Sequence, residues 1–149
     1  TGPSNREIPA KIKYLMADLQ RWAQRYDVPF AFPKGFDTAR LNRGYLWAKT
    51  QGAEAADRYF HSAYTEVWAR GGDPADSALL RAAAEGAGLS ADELLRGVDA
   101  QSILQAYDKE NQEAQARGVF GVPIFIVDDQ MFWGNDRIMF LEEYLRSQS

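Results

Sequence analysis

Helical periodicity runs through most of this chain and gives way to strand-like texture at Gly118, and that change of period limits the folds open to it. Residues 9–26 place Ile12, Leu15, Met16, Leu19, Trp22, Ala23 and Tyr26 at the spacing of one helical face. The same texture resumes over roughly 38–49, 53–70, 75–86, 91–97 and 100–117. After Gly118 it is replaced by Val122-Pro-Ile-Phe-Ile-Val-Asp128, a short run of β-branched and aromatic residues. Asp128-Asp129 is a turn signal, and Gln130–Trp133 reads as a second strand. Gly134-Asn135-Asp136 then opens a last amphipathic helix bearing Ile138, Leu141, Tyr144 and Leu145. A lone two-stranded hairpin is marginal in water, so this one calls for further strands beside it.

Punctuation supports these breaks. Pro9 is tolerated in a first helical turn, and Pro29 predicts an end near Asp27, because the residue before a proline avoids helical geometry. Phe30 to Pro33 reads as an extended piece and Lys34-Gly35 as a turn. Gly71-Gly72 ends one helix, and Asp73-Pro74 predicts the next, with a capping aspartate and a first-position proline. Ser90-Ala-Asp-Glu93 matches the capping box. The second half of 100–117 is polar and is expected at the surface. No repeat, low-complexity tract or linker interrupts the chain.

Composition removes whole classes of chemistry. With 149 residues the chain can bury roughly 70% of the surface its unfolded form exposes, enough for a core of its own. Seventeen Lys and Arg against 21 Asp and Glu give a net charge of -4 with no basic block, so nucleic acid is not an expected partner. The longest apolar run, Val119 to Val127, is too short and interrupted to span a bilayer, and a soluble chain with no membrane partner is expected. There is no cysteine, which excludes a disulfide framework, a Cys-based zinc site, a Cys-X-X-Cys pair and a cysteine nucleophile. Any thiol chemistry must use a borrowed thiol. The single histidine, His61, precludes a two-histidine metal site; no metal is expected, and between Phe60 and Tyr64 the imidazole reads as partly buried and structural. The chain begins with Thr1, so its native start is expected upstream, and a leader peptide is left open.

The densest chemical signal is Gly118-Val-Phe-Gly-Val-Pro123 together with Phe132-Trp-Gly-Asn-Asp-Arg137. Val122-Pro123 at a strand start can be a cis peptide that leaves backbone groups open to a peptide-like ligand, or a trans loop proline leading into the strand. Asn135 as helix cap and Asp136 in the first turn agree with the helix dipole, whereas Arg137 sets a cation against its positive end. That cation could hold an anionic ligand together with free helix amides, or simply pair with an acid such as Glu142. Lys11, in the first turn of the first helix, poses the same choice between a ligand contact and a solvated side chain. Phe120, Phe132 and Trp133 are core residues or an aromatic wall for a flat substrate.

These motifs, with Ile8-Pro-Ala-Lys-Ile-Lys-Tyr-Leu-Met-Ala-Asp-Leu19, Phe32-Pro33 and Leu79-Leu-Arg-Ala-Ala-Ala-Glu-Gly-Ala-Gly-Leu89, resemble the family of 2-hydroxychromene-2-carboxylate isomerases and kappa-class glutathione transferases. The resemblance covers nearly the whole chain. It implies an α/β, DsbA-like thioredoxin fold with a large all-helical insertion: residues 1–33 ending the N-terminal half, 34–117 the insertion, and 118–149 the C-terminal β-β-α half. The family's first β-α-β segment would precede Thr1, and with it the serine that steadies the glutathione thiolate. Missing strands of that kind would supply the partners the hairpin wants, making the chain a portion of a longer protein. A further departure is that Thr1-Gly2 is followed by Pro3-Ser4, with Asn5 displaced from the asparagine the family carries after Thr-Gly.

Glutathione is the cofactor the resemblance implies. The backbone of Val122, before a cis Pro123, would hold its cysteinyl part; Asn135 and Asp136 would take the γ-glutamyl end, Arg137 would support that region, and Lys11 would reach the tripeptide or an acidic substrate. Trp133 would lie beside a small aromatic carboxylate substrate. The activity implied is a glutathione-dependent cis-trans isomerisation between 2-hydroxychromene-2-carboxylate and trans-o-hydroxybenzylidenepyruvate, or a related ring-cleavage product, by a cytoplasmic homodimer. Kappa transferases carry a serine in place of Asn135 and usually lack Trp133, so a kappa-like transferase or peroxidase stands second. A glutathione-binding protein without catalysis stands third.

Overall fold

A computed structural model describes residues 8–148. Thr1-Gly2-Pro3-Ser4 and Asn5, where the chain departs from the family pattern, lie outside the described residues. Two compact units divide the chain between Tyr107 and Asp108.

Among the described residues the first unit holds helices and no strand, with a non-helical stretch over 28–38. Helix α1 spans Pro9–Tyr26, with proline in its first turn and Asp27 in the left-handed conformation (φ 51°) just beyond its end, as Pro9 and Pro29 predict. None of its residues is buried; Trp22 and Tyr26 stack on one another at 5.5 Å. Helices α2 (Ala39–Thr50) and α3 (Ala53–Tyr64) follow, and α3 runs on into a wide π-helical turn, Thr65–Ala69. At that widening the Thr65 hydroxyl donates to the His61 carbonyl at 2.9 Å, a side-chain bond that competes with the regular ladder. His61 is not partly buried as expected: its side chain is 72% exposed, with Nε2 3.7 Å from Asp57. The buried stripe of α3 is Ala55, Ala56, Tyr59 and Ala63, and His61, two residues past Tyr59, falls about 200° around the helix from it.

Helix α4 spans Ser77–Gly86 and begins later than Asp73-Pro74 predicts. Asp73 accepts the Ala75 N–H at 3.0 Å and closes a turn instead, while Asp76 caps the helix by accepting the Ala78 N–H at 2.8 Å. Helix α5 (Ala91–Gly97) is capped by Ser90, which accepts the Glu93 N–H at 3.4 Å, the serine half of the expected box. Helix α6 spans Gln101–Ala116.

Small residues let these helices pack closely. Ala48, Ala56, Ala63, Ala83 and Ala84 surround Tyr59, Leu80, Leu94 and Val98 in one buried cluster. The Tyr59 hydroxyl donates to the Leu41 carbonyl at 3.2 Å, and burial pushes its pKa well above that of an ordinary phenol. It lies against Gly44, where a Cβ would collide with the ring. Gly97 leaves the same kind of space for Trp47. Arg40 and Arg43 both reach Asp99, at 2.9 and 3.5 Å, and Arg40 also donates to the Ser77 hydroxyl, joining the starts of α2, α4 and α6.

The second unit holds the end of α6, the hairpin and a last helix. Strands β1 (Ile124–Val127) and β2 (Gln130–Trp133) pair antiparallel, Ile124 opposite Trp133 and Val127 opposite Gln130. Asp128 takes the left-handed conformation (φ 51°) that a two-residue turn requires. Helix α7 spans Ile138–Ser147 and is fastened to the hairpin turn by Tyr144, whose hydroxyl donates to Asp128 at 3.0 Å. Among the described residues the sheet has these two strands only, and none from Asp108 to Gln148 is buried. No described helix is long and apolar enough to cross a membrane.

Candidate functional site

The base of the hairpin gathers six of the seven residues singled out from the sequence. The Val122-Pro123 bond is cis, which decides between the two geometries the residues allow. Gly134 donates its N–H to the Pro123 carbonyl at 2.9 Å, extending the ladder by one pair beyond Ile124 and Trp133. In an antiparallel ladder bonded and non-bonded pairs alternate, so Val122, Ile124 and Ile126 turn their backbone groups to the opposite edge. Val122 is 88% exposed, and among the described residues its N–H and C=O have no partner. This is an open strand edge ending in a solvent-facing backbone.

A groove of about 410 Å³ runs along that edge. Its far wall is Glu110, Glu113, Ala114 and Arg117 of α6 and the residue just after it, at the i, i+3, i+4, i+7 spacing of one helical face. This polar half-helix lies at the surface, as its sequence predicts. The spacing of those four residues, set against the apolar run that follows, was the available signal of the groove.

Among the described residues no aromatic side chain of this unit is fully buried. Phe120 is 67% exposed and Trp133 55%, and their rings meet edge to face at 5.1 Å. Phe132, on the other face of β2, is half-buried against Tyr144 at 5.9 Å.

The segment after β2 differs from expectation. Asn135 does not cap the last helix: Asn135–Arg137 form a 3-10 turn, and α7 starts only at Ile138, with no side-chain cap. The cause lies in Gly134, whose left-handed backbone (φ 94°, ψ 155°) turns the chain out of the strand. The Asp136 carboxylate folds back over it, into space a Cβ would fill. Arg137 pairs with this carboxylate, Nη1 to Oδ2 at 2.6 Å; Glu142, the alternative partner, pairs with Arg146 at 3.2 Å. Both members of the Asp136–Arg137 pair stay more than half exposed. Tyr144 below them has its pKa raised by its hydrogen bond to Asp128, and further by desolvation and the charges of Asp128 and Asp129.

Lys11 belongs to the other unit, in the first turn of α1. Among the described residues no cluster of three His, Asp or Glu could hold a metal ion. What the second unit does present is an open backbone edge, a carboxylate, a guanidinium and two exposed aromatic rings. That set suits a ligand that is part peptide and part anion.

Comparison with known proteins gives the family. The model of the DSBA-like thioredoxin domain matches residues 1–146. The chain is 47% identical over 144 residues to the 2-hydroxychromene-2-carboxylate isomerase of Sphingobium xenophagum, covering 97% of this chain and 73% of that one. It is 37% identical over 142 residues to the isomerase of the same name from Pseudomonas putida, covering 95% and 68%. It is also similar to human glutathione S-transferase kappa 1, with 31% identity over 153 residues, 93% of this chain and 67% of that one. A solved structure of selenomethionine 2-hydroxychromene-2-carboxylate isomerase matches with a TM-score of 0.87 at 36% identity, over 99% of this chain and 72% of the other. The expected α/β, DsbA-like thioredoxin fold with a helical insertion is the fold found. The chain belongs to the 2-hydroxychromene-2-carboxylate isomerase family, enzymes built on the DSBA-like thioredoxin domain.

Proposed function

We propose that this chain carries out glutathione-dependent cis-trans isomerisation of 2-hydroxychromene-2-carboxylate to trans-o-hydroxybenzylidenepyruvate, or of a closely related aromatic ring-cleavage product. The observation that carries the reading is the 47% identity to an enzyme of that name. When bound, glutathione supplies the thiol that a chain without cysteine lacks, for reversible addition to a conjugated double bond.

The residues present fit that tripeptide. Val122 offers one free N–H and one free C=O, the pair a peptide needs to lie along a strand edge. Asp136 suits an ammonium group, while Asn135 and the remaining nitrogen of the Arg137 fork suit a carboxylate. The Asp136–Arg137 bond holds both groups in place before a ligand arrives, which lowers the ordering cost of binding. Lys11 would contribute a cation for the tripeptide or for the substrate acid, and Trp133 a flat wall for the substrate ring. A cytoplasmic homodimer belongs to the same reading.

The test is the interconversion followed by absorbance in the full-length protein, with and without glutathione. Activity that depends on glutathione supports the reading; equal activity without it overturns the cofactor assignment. The similarity to human glutathione S-transferase kappa 1 favours a second reading, a kappa-like transferase or peroxidase. Conjugation of glutathione to a generic aromatic halide, with no isomerisation, would establish that one. Calorimetric binding of glutathione without any turnover would leave a non-catalytic glutathione-binding protein.

A further inference from the structure

Phe120 is the exposed aromatic residue of the site motif that the proposed function does not yet use. Two-thirds of its surface is open to solvent, so packing among the described residues does not account for a ring at this position. Among the described residues its ring contact is with Trp133, itself more than half exposed, at 5.1 Å and an interplanar angle of 68°. Edge-to-face rings at this separation attract one another, so the pair keeps its angle without a ligand. Gly121, between Phe120 and Val122, permits the arrangement. A Cβ there would come within 3.0 Å of Trp133 Nε1, tighter than ordinary contact, so any larger residue would make the indole give by a few tenths of an ångström. The loop that presents the free Val122 backbone therefore also presents two rings meeting at an open corner.

We propose that Phe120 is a specificity-determining residue: with Trp133 it forms a preset corner that takes the flat ring of the aromatic substrate, and Gly121 positions the indole that completes it. A planar ring stacked on one wall meets the other edge-on, whereas an aliphatic 2-oxo acid satisfies neither contact. The inference rests on the isomerase reading above and adds to it the part of the site that selects for an aromatic ring.

The test compares wild type with F120L, F120Y and G121A in the full-length protein, measuring kcat and KM for 2-hydroxychromene-2-carboxylate and glutathione affinity by calorimetry. F120L should raise KM about tenfold, F120Y should stay near wild type, and G121A should fall between them, with kcat within about twofold and glutathione affinity unchanged. An unchanged KM in F120L overturns the proposal. So does an equal loss of substrate and glutathione binding, which would mark Phe120 as merely structural. A second arm needs no turnover: salicylate, a flat aromatic acid, should quench the wild-type fluorescence saturably, about tenfold more weakly in F120L, and not at all in W133F. Salicylate binding in a protein that does not isomerise would remove the isomerase reading and keep the corner. Quenching that is the same in wild type and F120L would remove the corner, whatever the activity.

Discussion

The two units of this chain solve opposite problems. Through Tyr107 the residues bury a tyrosine, leucines and valines behind a lattice of alanines and glycines, and little in that unit reaches toward a ligand. From Asp108 onward nothing described is buried, and nearly every residue implicated in binding is found there. The helical unit is stabilised chiefly by exclusion of water from apolar surface, at roughly 25 cal/mol per Å². The hairpin unit relies on a four-residue ladder and one tyrosine hydroxyl, and its exposed Asp136–Arg137 pair adds little to stability. Among the described residues, burial and the proposed binding groups fall in different units, so a substitution there should disturb one or the other.

The largest break in that division should come from Leu80→Ala, which empties a fully buried position at the centre of the helical cluster. It should cost about 2–5 kcal/mol, read as a lower urea midpoint, and a loss below about 1 kcal/mol would mean the core is not centred there. Next is Arg137→Ala, which should weaken glutathione binding by about ten- to a hundredfold while leaving the urea midpoint in place. A midpoint that fell as far as for Leu80→Ala would erase the distinction between the units. Asp76→Ala, which removes the α4 cap, should cost about 1 kcal/mol, and Ser90→Ala less, because its bond to Glu93 is the longer one at 3.4 Å.

The smallest effect, and the one that sharpens the contrast, is Tyr144→Phe. The folded phenol titrates above the ordinary value of 10.0, chiefly because it donates to Asp128. A raised folded pKa means the stabilisation is present in full below pH 10 and is lost as the pH rises through the folded value. The gap in melting temperature between wild type and Tyr144→Phe should therefore be constant up to about pH 10 and close above it. A gap that widened with alkali would contradict the bond.

Local chemistry in the sequence located elements better than their ends. Two prolines fixed both limits of α1, since each acts on the residue beside it, and the Asp128-Asp129 turn set the hairpin register in the same way. The start of α4 went to the wrong aspartate because Asp73 and Asp76 both accept a bond from an N–H two residues on, and only the fold decides which turn continues. The stretch 53–70 reads as one helix, yet at Thr65 it widens by a fraction of a turn, a change that apolar spacing does not register. In the site, Arg137 could be seen as a cation at the wrong end of a helix dipole. Its answer, a bond to the adjacent Asp136 made possible by the backbone of Gly134, depends on dihedral angles that residue types leave open. The exposure of Phe120 and Trp133 was equally out of reach, because an aromatic residue at strand spacing reads as core by default.

The four-residue strands β1 and β2 carry a last consequence. Amides in α2 to α5 should exchange with deuterium only when the whole cluster opens, whereas those of Phe125 and Phe132 need only a local parting of the hairpin. The surface proposed to meet glutathione can thus be loosened and re-formed many times while the helical unit stays closed, and bound glutathione should slow that exchange far more than it raises the global unfolding free energy.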